Sequence, residues 1–173
     1  TLRALIADTC RSLIGEGFKY IVVANSHFEP EHVKTLHGAL DDVERTEGLT
    51  VGFLDLTRRE RAKRLTEAFR RGESHADRYE TSIVLASHPE LVDAATMHDL
   101  PYRPIDMAKA IADGATEFHE IGLTEAYAGA PAEATAEEGD ATLDALAAML
   151  IEVARALVDG TGGRDRPGMF SRD

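Results

Sequence analysis

The apolar residues near the start of the chain recur three and four positions apart, which predicts an amphipathic helix that ends at the glycine-rich stretch 15–17. These residues are Leu2, Leu5, Ile6, Cys10, Leu13 and Ile14. Residues 18–24 are apolar at both parities, as expected for a strand that is covered on both faces of a parallel sheet. A polar loop then leads to Pro30, which suits the first turn of a second helix. The predicted order is helix, strand, loop, helix.

The order of strand and helix returns further along the chain. Residues 50–56 predict a second strand, and residues 57–60 have the capping-box pattern that opens a helix bearing Leu65 and Phe69. Another capping box, Asp77-Arg78-Tyr79-Glu80, leads into a helix over residues 81–87. Strands that alternate with helices predict an α/β fold with right-handed crossovers.

The stretch that follows is rich in proline and glycine and predicts loops, with a short helix at 105–112 and a strand near 118–123. A long helix is predicted at 141–157 because leucines and a valine recur along one face. That face consists of Leu143, Leu146, Leu150, Val153 and Leu157. We expect residues 1–160 to form a single α/β domain and residues 161–173, rich in Gly, Arg and Asp, to form a flexible tail.

Composition narrows the classes of function. The chain has 173 residues, of which 31 are acidic and 19 basic, and its formal net charge of -12 would repel a phosphate backbone. We therefore expect a small or cationic substrate and no nucleic acid partner. No apolar run approaches the roughly 20 residues that span a bilayer, so no membrane partner is expected. The one cysteine, Cys10, fits a buried thiol in a reducing compartment, which favours a cytoplasmic protein.

Two side chains that bind metals follow the first predicted strand. His27 and Glu29 lie two positions apart, and in an extended backbone such residues project to the same side. One imidazole and one carboxylate suit a divalent ion such as Zn²⁺ or Mn²⁺. The residues alone leave a second interpretation open, in which Glu29 caps the next helix and His27 is solvated. For the other histidines outside polar loops we expect surface positions: His32, His37, His88, His98 and His119.

Three segments, in the same order along the chain, resemble motifs of the creatininase family. Residues 25–29 (Asn-Ser-His-Phe-Glu) resemble the family's Asn-Gly-His-aromatic-Glu motif. Residues 75–82 (His-Ala-Asp-Arg-Tyr-Glu-Thr-Ser) resemble its histidine, small residues and Glu-Thr-Ser at a helix start. Residues 129–139 resemble its Gly-x-Pro and Ala-Thr-x-x-x-Gly stretch before the last helix. Together the matches cover nearly the whole chain.

The resemblance implies a three-layer sandwich with a mostly parallel sheet flanked by helices. It also implies metal-dependent hydrolysis of a C–N bond in a small amide or cyclic amide, by water activated on a dinuclear Zn²⁺ or Mn²⁺ site. His27 and Glu29 would each bind one metal, and His75 would donate a proton or polarise the carbonyl. Family members are usually homo-oligomers, often hexamers. The pocket or its support would include Asn25, Phe28, Ser74 and Glu80, the last of which also has a structural interpretation as a helix cap.

The sequence departs from the family pattern at several points. Family members carry, upstream of the first motif, a Glu-x-His pair and a later Asp that supply the remaining ligands, and no Glu-x-His precedes His27 here. We therefore expect either a fragment without that segment or a shortened relative with impaired metal binding. Ser26 replaces the usual glycine, Ser74 stands where creatininase has an acidic residue, and the chain has no tryptophan. These changes leave the substrate open.

Other functions remain compatible with the sequence. Sister branches of the family include a peptidase that trims a cofactor precursor and a formamide hydrolase. A non-catalytic α/β binding or assembly subunit with an incomplete metal site belongs to a different class. A flavodoxin-like phosphate binder is the least supported, because the loop after the first strand lacks a glycine-rich cradle.

Overall fold

A computed structural model describes residues 1–72, 75–115 and 117–167. In chain order the helices and strands are α1 (Leu2–Gly15), β1 (Val22–Val23), α2 (Pro30–Glu47), β2 (Gly52–Phe53), α3 (Arg59–Ala62), α4 (Glu67–Arg70), α5 (Arg78–Ser87), α6 (Ala94–Asp99), α7 (Met107–Ala112) and α8 (Ala136–Val158). Short 3-10 helices lie at Pro89–Leu91, Phe118–Ile121 and Pro131–Glu133. Helices combined with a small parallel sheet confirm the predicted α/β class.

The chain packs as two compact units. The first contains Thr1–Ala62 and Ala147–Asp173, and the second contains Lys63–Leu146. That residues 1–160 act as a single domain stays a prediction. Among the described helices, none combines the length and apolar character that crossing a membrane requires.

The first unit is built around a buried cluster shared by α1, α2 and the two strands. β1 and β2 pair in parallel, with Val22 opposite Gly52 and Val23 opposite Phe53. α1 and α2 pack against each other, with Cys10 of the predicted α1 face buried and Leu5 of that face 61% exposed. The cluster consists of Ala7, Cys10, Ile21, Leu36, Ala39, Leu40, Val43, Val51 and Phe53. Because each large apolar side chain stabilises the fold by about 1.5–3 kcal/mol when buried, this cluster holds β1 and the start of α2 in place.

The first strand is shorter than the sequence predicted. The amide of Phe18 donates to the carbonyl of Leu13 at 3.1 Å, so the chain is still tied to the end of α1 at that point. Strand geometry is reached only at Val22. Phe18 and Tyr20 remain 55% and 53% exposed, so the expectation of a strand covered on both faces is wrong for its first half.

The segment expected to be a flexible tail is partly attached to β2. Gly163 accepts a hydrogen bond from the amide of Phe53, and the amide of Asp165 donates to the Phe53 carbonyl, both at 3.0 Å. Arg164 lies between them with its side chain buried and paired with Asp41 and Glu44 of α2. The structure therefore adds residues 163–165 to the first unit, and the last six residues of the chain lie outside the described residues.

The helix predicted from residue 57 onward is divided into α3 and α4. Thr57 does not cap a helix, because its amide and hydroxyl both donate to Asp55 Oδ1, at 3.0 and 2.5 Å. Thr66 caps α4 instead, accepting from the amide of Phe69 at 3.3 Å. A local side-chain bond has thus moved the helix start away from the predicted capping box.

The second unit confirms two of the predicted helices and corrects a strand. Asp77 caps α5 as predicted, and α7 occupies most of the range 105–112. The strand predicted near 118–123 is a 3-10 helix, because Glu117 and Glu120 form a reciprocal capping box and the chain then turns at a left-handed glycine. The capping box of Glu117 and Glu120 needs only neighbouring residues, and it outweighed the weak pattern that predicted a strand.

The last helix, α8, is longer than predicted, and its buried face differs. Leu143 is 36% exposed, whereas Thr142, Met149 and Val153 are buried. In the first half of α8 the buried face is therefore shifted by about one residue from the predicted face. In the second half the two coincide at Val153 and Leu157.

Candidate active site

The loop after β1 is shaped by the side chain of Asn25. Its Nδ2 donates to the carbonyl of His27 at 2.6 Å, and its Oδ1 accepts from the amide of His27 at 3.3 Å. The side-chain amide of Asn25 thus forms hydrogen bonds with both the N–H and the carbonyl of His27. This gives the predicted supporting role of Asn25 a concrete geometry, while the side chain of His27 is exposed.

His32, which the sequence analysis placed on the surface by default, joins this loop. Its Nε2 lies 2.9 Å from Asn25 Oδ1, and its ring meets that of His27 edge to face with centroids 4.9 Å apart. Because Asn25 Nδ2 is occupied as a donor to His27, Oδ1 is the acceptor and His32 Nε2 carries the proton. The side chain is half-buried.

Glu29 is the N-cap of α2. Its two carboxylate oxygens accept from the amides of Glu31 and His32, at 2.9 and 2.6 Å. A negative charge at a helix N-terminus is stabilised by the helix dipole and by these free amides. The capping interpretation of Glu29 is therefore observed. Each carboxylate oxygen keeps a further lone pair, so the cap does not exclude a ligand role, which stays a prediction.

The donors fit a divalent metal in kind but not in number. Imidazole and carboxylate are the donors that Zn²⁺ and Mn²⁺ accept, and protein sites normally use three or four of them. Within residues 1–72, 75–115 and 117–167, no group of three or more His, Cys, Asp or Glu side chains is arranged to hold a metal. The described residues therefore do not make up a metal site by themselves. Phe28, which lies between His27 and Glu29 in the same loop, is half-buried.

In the second unit, the peptide group that joins His75 to Ala76 is held by two hydrogen bonds. Its carbonyl accepts from the amide of Ala128 at 2.8 Å. The next residue, Ala76, has a φ of 47°, an uncommon conformation for a residue with a Cβ, and its amide donates to Glu80 Oε2 at 2.6 Å. Glu80 thus supports the loop that carries His75, one residue away from the bond that a standard capping box would make. Ser74 lies outside the described residues.

The ring of His75 packs on Phe118. The two ring centroids are 4.3 Å apart, with an interplanar angle of 35°. The sequence offered no signal for this contact, because Phe118 was assigned to a strand and lies far from His75 along the chain.

Asp77 is a buried acid that the sequence analysis treated only as a helix cap. Its Oδ1 accepts from the amide of Glu80 at 3.1 Å, while Oδ2 has no hydrogen-bond partner among the described residues. Burial, together with the neighbouring charge of Glu80, raises the pKa of Asp77 to about 7 against the opposing effect of backbone hydrogen bonds. This carboxyl holds a proton well above the pH at which an exposed aspartate would lose it.

His37 and Asp55 form a buried pair in the first unit. His37 Nε2 lies 3.0 Å from Asp55 Oδ2, and both side chains are almost fully buried, so the surface position expected for His37 is wrong. Burial favours a higher pKa for Asp55, but the hydrogen bonds from His37 and Thr57 outweigh it and hold the pKa below its usual value. Buried on all sides, the pair is a structural element of the unit.

The third sequence motif is explained by packing within the second unit. Ser82 Oγ accepts from the amide of Thr135 at 3.1 Å. A Cβ at Gly139 would lie 1.9 Å from the carbonyl oxygen of Ser82, so α8 approaches α5 as closely as only glycine permits. These motif residues join two helices.

The structure brings the predicted site residues together in two groups, one in each unit. Asn25, His27 and Glu29 share the loop after β1, and His75 shares a second loop with Glu80.

The sequence is similar to that of a known protein family. The sequence matches the profile of a family described as "Creatininase: Creatinine amidohydrolase" over residues 1–154. No curated protein matches it.

Two crystal structures share the fold. One is that of a creatinine amidohydrolase (creatininase), with 19% identity and a TM-score of 0.65, the match covering 92% of this chain and 63% of that one. The other is a Bacteroides fragilis protein provisionally described as a creatinine amidohydrolase, with 19% identity and a TM-score of 0.60, covering 91% and 61%. This likeness confirms the predicted α/β fold of that type, and the chain spans little more than three fifths of the length of each structure.

Proposed function

Because the chain belongs to the creatininase family, we propose that the protein is a metal-dependent amidohydrolase that cleaves a carbon–nitrogen bond of a small amide or cyclic amide. In this proposal His27 and Glu29 are two of the metal ligands, and His75 is a catalytic group. The metal is Zn²⁺ or Mn²⁺, with two ions in the complete site, and the enzyme is a cytoplasmic homo-oligomer.

The observation that supports this proposal most is the geometry of the loop after β1. Asn25 fixes the backbone of His27 by two hydrogen bonds, and Glu29 is fixed by the amides at the start of α2. The backbone that carries the imidazole, and the carboxylate itself, are thereby held two residues apart in the same loop. Ligands that are already positioned lose less conformational entropy when a metal binds.

A bound divalent metal supplies a hydroxide nucleophile at neutral pH and polarises the amide carbonyl. His75 then has the role of delivering a proton to the nitrogen that leaves as the C–N bond breaks. The hydrogen bonds of its carbonyl to Ala128 and of the adjacent amide to Glu80 keep its backbone in one position, as such a group requires. The further ligands that a complete site needs are not supplied by the described residues.

One observation favours a second candidate, a non-catalytic binding or assembly subunit. The described residues hold no group of three or more metal-binding side chains. Within the enzyme class, a peptidase and a formamide hydrolase remain candidates.

Metal content and turnover of the purified protein distinguish these candidates. We expect tightly held Zn²⁺ or Mn²⁺ by elemental analysis, and metal-dependent hydrolysis of at least one of creatinine, an N-formyl compound and a short peptide. His27→Gln and Glu29→Gln should lower both the metal content and the turnover. His75→Gln should lower turnover and leave the metal content unchanged.

His98→Gln is the matched control, because His98 is exposed on α6. A wild-type protein without bound metal and without turnover on any of these substrates would overturn the enzyme proposal in favour of the binding subunit.

A further inference from the structure

We propose that Phe118 is a positioning residue for His75. Its ring holds the imidazole of His75 in the orientation in which the imidazole acts on the substrate. The inference rests on the proposed function, in which His75 is the catalytic group. Its structural basis is the contact between the two rings in the second unit, whose centroids are 4.3 Å apart.

The backbone of His75 is fixed, but its side chain keeps two rotatable bonds. The bonds to Ala128 and Glu80 hold the carbonyl of His75 and the following amide. Within the part of the chain that the structure describes, the ring of His75 makes no hydrogen bond that would select one orientation. Among the described residues, the contact with the tilted ring of Phe118 is the interaction that restricts the imidazole.

The backbone of Phe118 is held by hydrogen bonds within the second unit. It begins the 3-10 helix Phe118–Ile121, which the capping box of Glu117 and Glu120 closes. Its carbonyl accepts from the amide of Leu123 at 3.0 Å, and Leu123 is buried. The Phe118 ring is 43% exposed, so the contact leaves part of the neighbourhood of His75 open to a substrate.

Loss of the stack would let the imidazole adopt other rotamers. A catalytic group that spends less time in its productive orientation lowers kcat, because positioning is part of the rate enhancement. From the usual strength of a contact between two rings, Phe118→Leu should lower kcat roughly two- to tenfold. KM should not change, since Phe118 acts through His75. A role as a wall of the substrate pocket would raise KM instead.

The contact can be tested first without any substrate, by the proton NMR signals of the histidine rings in the 173-residue chain. The signals of His75 are those that disappear in His75→Gln. Protons above an aromatic face are shielded, so these signals should move downfield in Phe118→Leu and stay in place in Phe118→Tyr. Leu91→Ala, which removes an exposed side chain elsewhere in the second unit, is the control and should leave the ring signals of His75 in place.

The amide signal of Ala128, which donates to the carbonyl of His75, reports whether the loop keeps its fold in each variant. Phe118→Met replaces the leucine variant if the latter fails to fold. His75 signals that are the same in wild type and in Phe118→Leu would overturn the inference.

Kinetics then separate this inference from the proposed function. If the wild type hydrolyses one of the substrates named above, a lower kcat with constant KM in Phe118→Leu, restored in Phe118→Tyr, supports positioning. An unchanged kcat, or a rise in KM alone, would overturn the positioning role while leaving the proposed function intact. A wild type inactive on every substrate overturns the proposed function and with it the positioning role of Phe118 in catalysis, and the NMR signals still decide whether the contact exists.

Discussion

Asp77 shows how one residue can satisfy a sequence pattern and still hold a property that the pattern does not reveal. The capping signal that predicted its role at the start of α5 is local, and the structure confirms it. Its complete burial depends on tertiary packing, so no local sequence pattern indicated that its pKa is about 7. The consequence is a stability that depends on pH.

The contribution of Asp77 to the stability of the protein should fall as pH rises from about 4 to about 7. The pKa of Asp77 is raised from 3.8 in the unfolded chain to about 7, so the folded state binds the extra proton throughout that interval. Above pH 7 the buried charge costs up to about 4 kcal/mol, the upper limit set by the difference in pKa. Asp77→Asn removes this charge and keeps an oxygen for the amide of Glu80, so its advantage over wild type should grow between pH 5 and pH 8 in urea unfolding.

The matched control for Asp77 is Asp93, the exposed N-cap of α6. The amide of Thr96 lowers the pKa of Asp93, so its stabilising effect is present at neutral pH and lost in acid. Asp93→Asn should therefore lower the free energy of unfolding at pH 7 and change it little at low pH. This pH dependence is opposite to that of Asp77→Asn. Equal slopes for the two variants would show that Asp77 is not protonated in the folded state.

Glu29 allows its structural role to be separated from its proposed ligand role. Glutamine offers one acceptor where the carboxylate uses two, so Glu29→Gln should lower the free energy of unfolding by about 0.5–1 kcal/mol without metal. If Glu29 also binds metal, Zn²⁺ should raise the melting temperature of the wild type more than that of the variant. Equal shifts with Zn²⁺ would leave Glu29 as a helix cap alone. Glu31→Gln, exposed in the same turn, is the control.

At the scale of elements, helix ends were more predictable than strands. A cap needs only neighbours in sequence, which is why Pro30 and Asp77 mark the starts of α2 and α5 as predicted. The extent of a strand depends on a lateral partner. Phe18 is still bonded to Leu13 in the glycine turn that ends α1, and how far the strand extends beyond that turn is decided by its pairing with β2.

The approach of α8 to α5 should fail if Gly139 acquires a side chain. In Gly139→Ala the new Cβ would lie 1.9 Å from the backbone carbonyl of Ser82, which cannot move aside as a side chain can. We expect a loss of at least about 2 kcal/mol in the free energy of unfolding, measured with urea.

Gly38→Ala provides the comparison for Gly139. Gly38 lies inside α2, where the three atoms nearest to a Cβ would belong to the guanidinium of Arg3, at 3.2–3.4 Å, the end of a side chain that can shift more easily than backbone. Alanine is favoured over glycine in a helix by roughly 1 kcal/mol, so this change should be neutral or stabilising. A Gly139→Ala protein as stable as Gly38→Ala would show that α8 can shift without cost.

At the scale of the whole molecule, resemblance and periodicity predicted different parts of the site. The motif indicated Asn25, His27 and Glu29, and the structure explains why Asn is needed there, since its amide brackets His27. Contacts that bring together distant parts of the chain were not predictable in the same way. The pair His37–Asp55 and the stack of His75 on Phe118 depend on tertiary packing, which a single sequence does not display.

Arg164 is the clearest case of a contact that joins distant parts of the chain, and it supports a last prediction. Its side chain is 2% exposed, and its guanidinium pairs with Asp41 and Glu44 of α2, at 2.6 and 2.9 Å. Arg164→Met should lower the free energy of unfolding by about 1–3 kcal/mol, because methionine fills the space but leaves the partly buried Glu44 short of a partner. Arg166→Met should cost far less, since Arg166 is 60% exposed and pairs with the same acids at longer distances. Urea unfolding of both variants at low and high salt gives the comparison: the loss from Arg164→Met should persist at high salt, whereas equal and salt-sensitive losses would mean that residues 163–165 are held by surface charge alone.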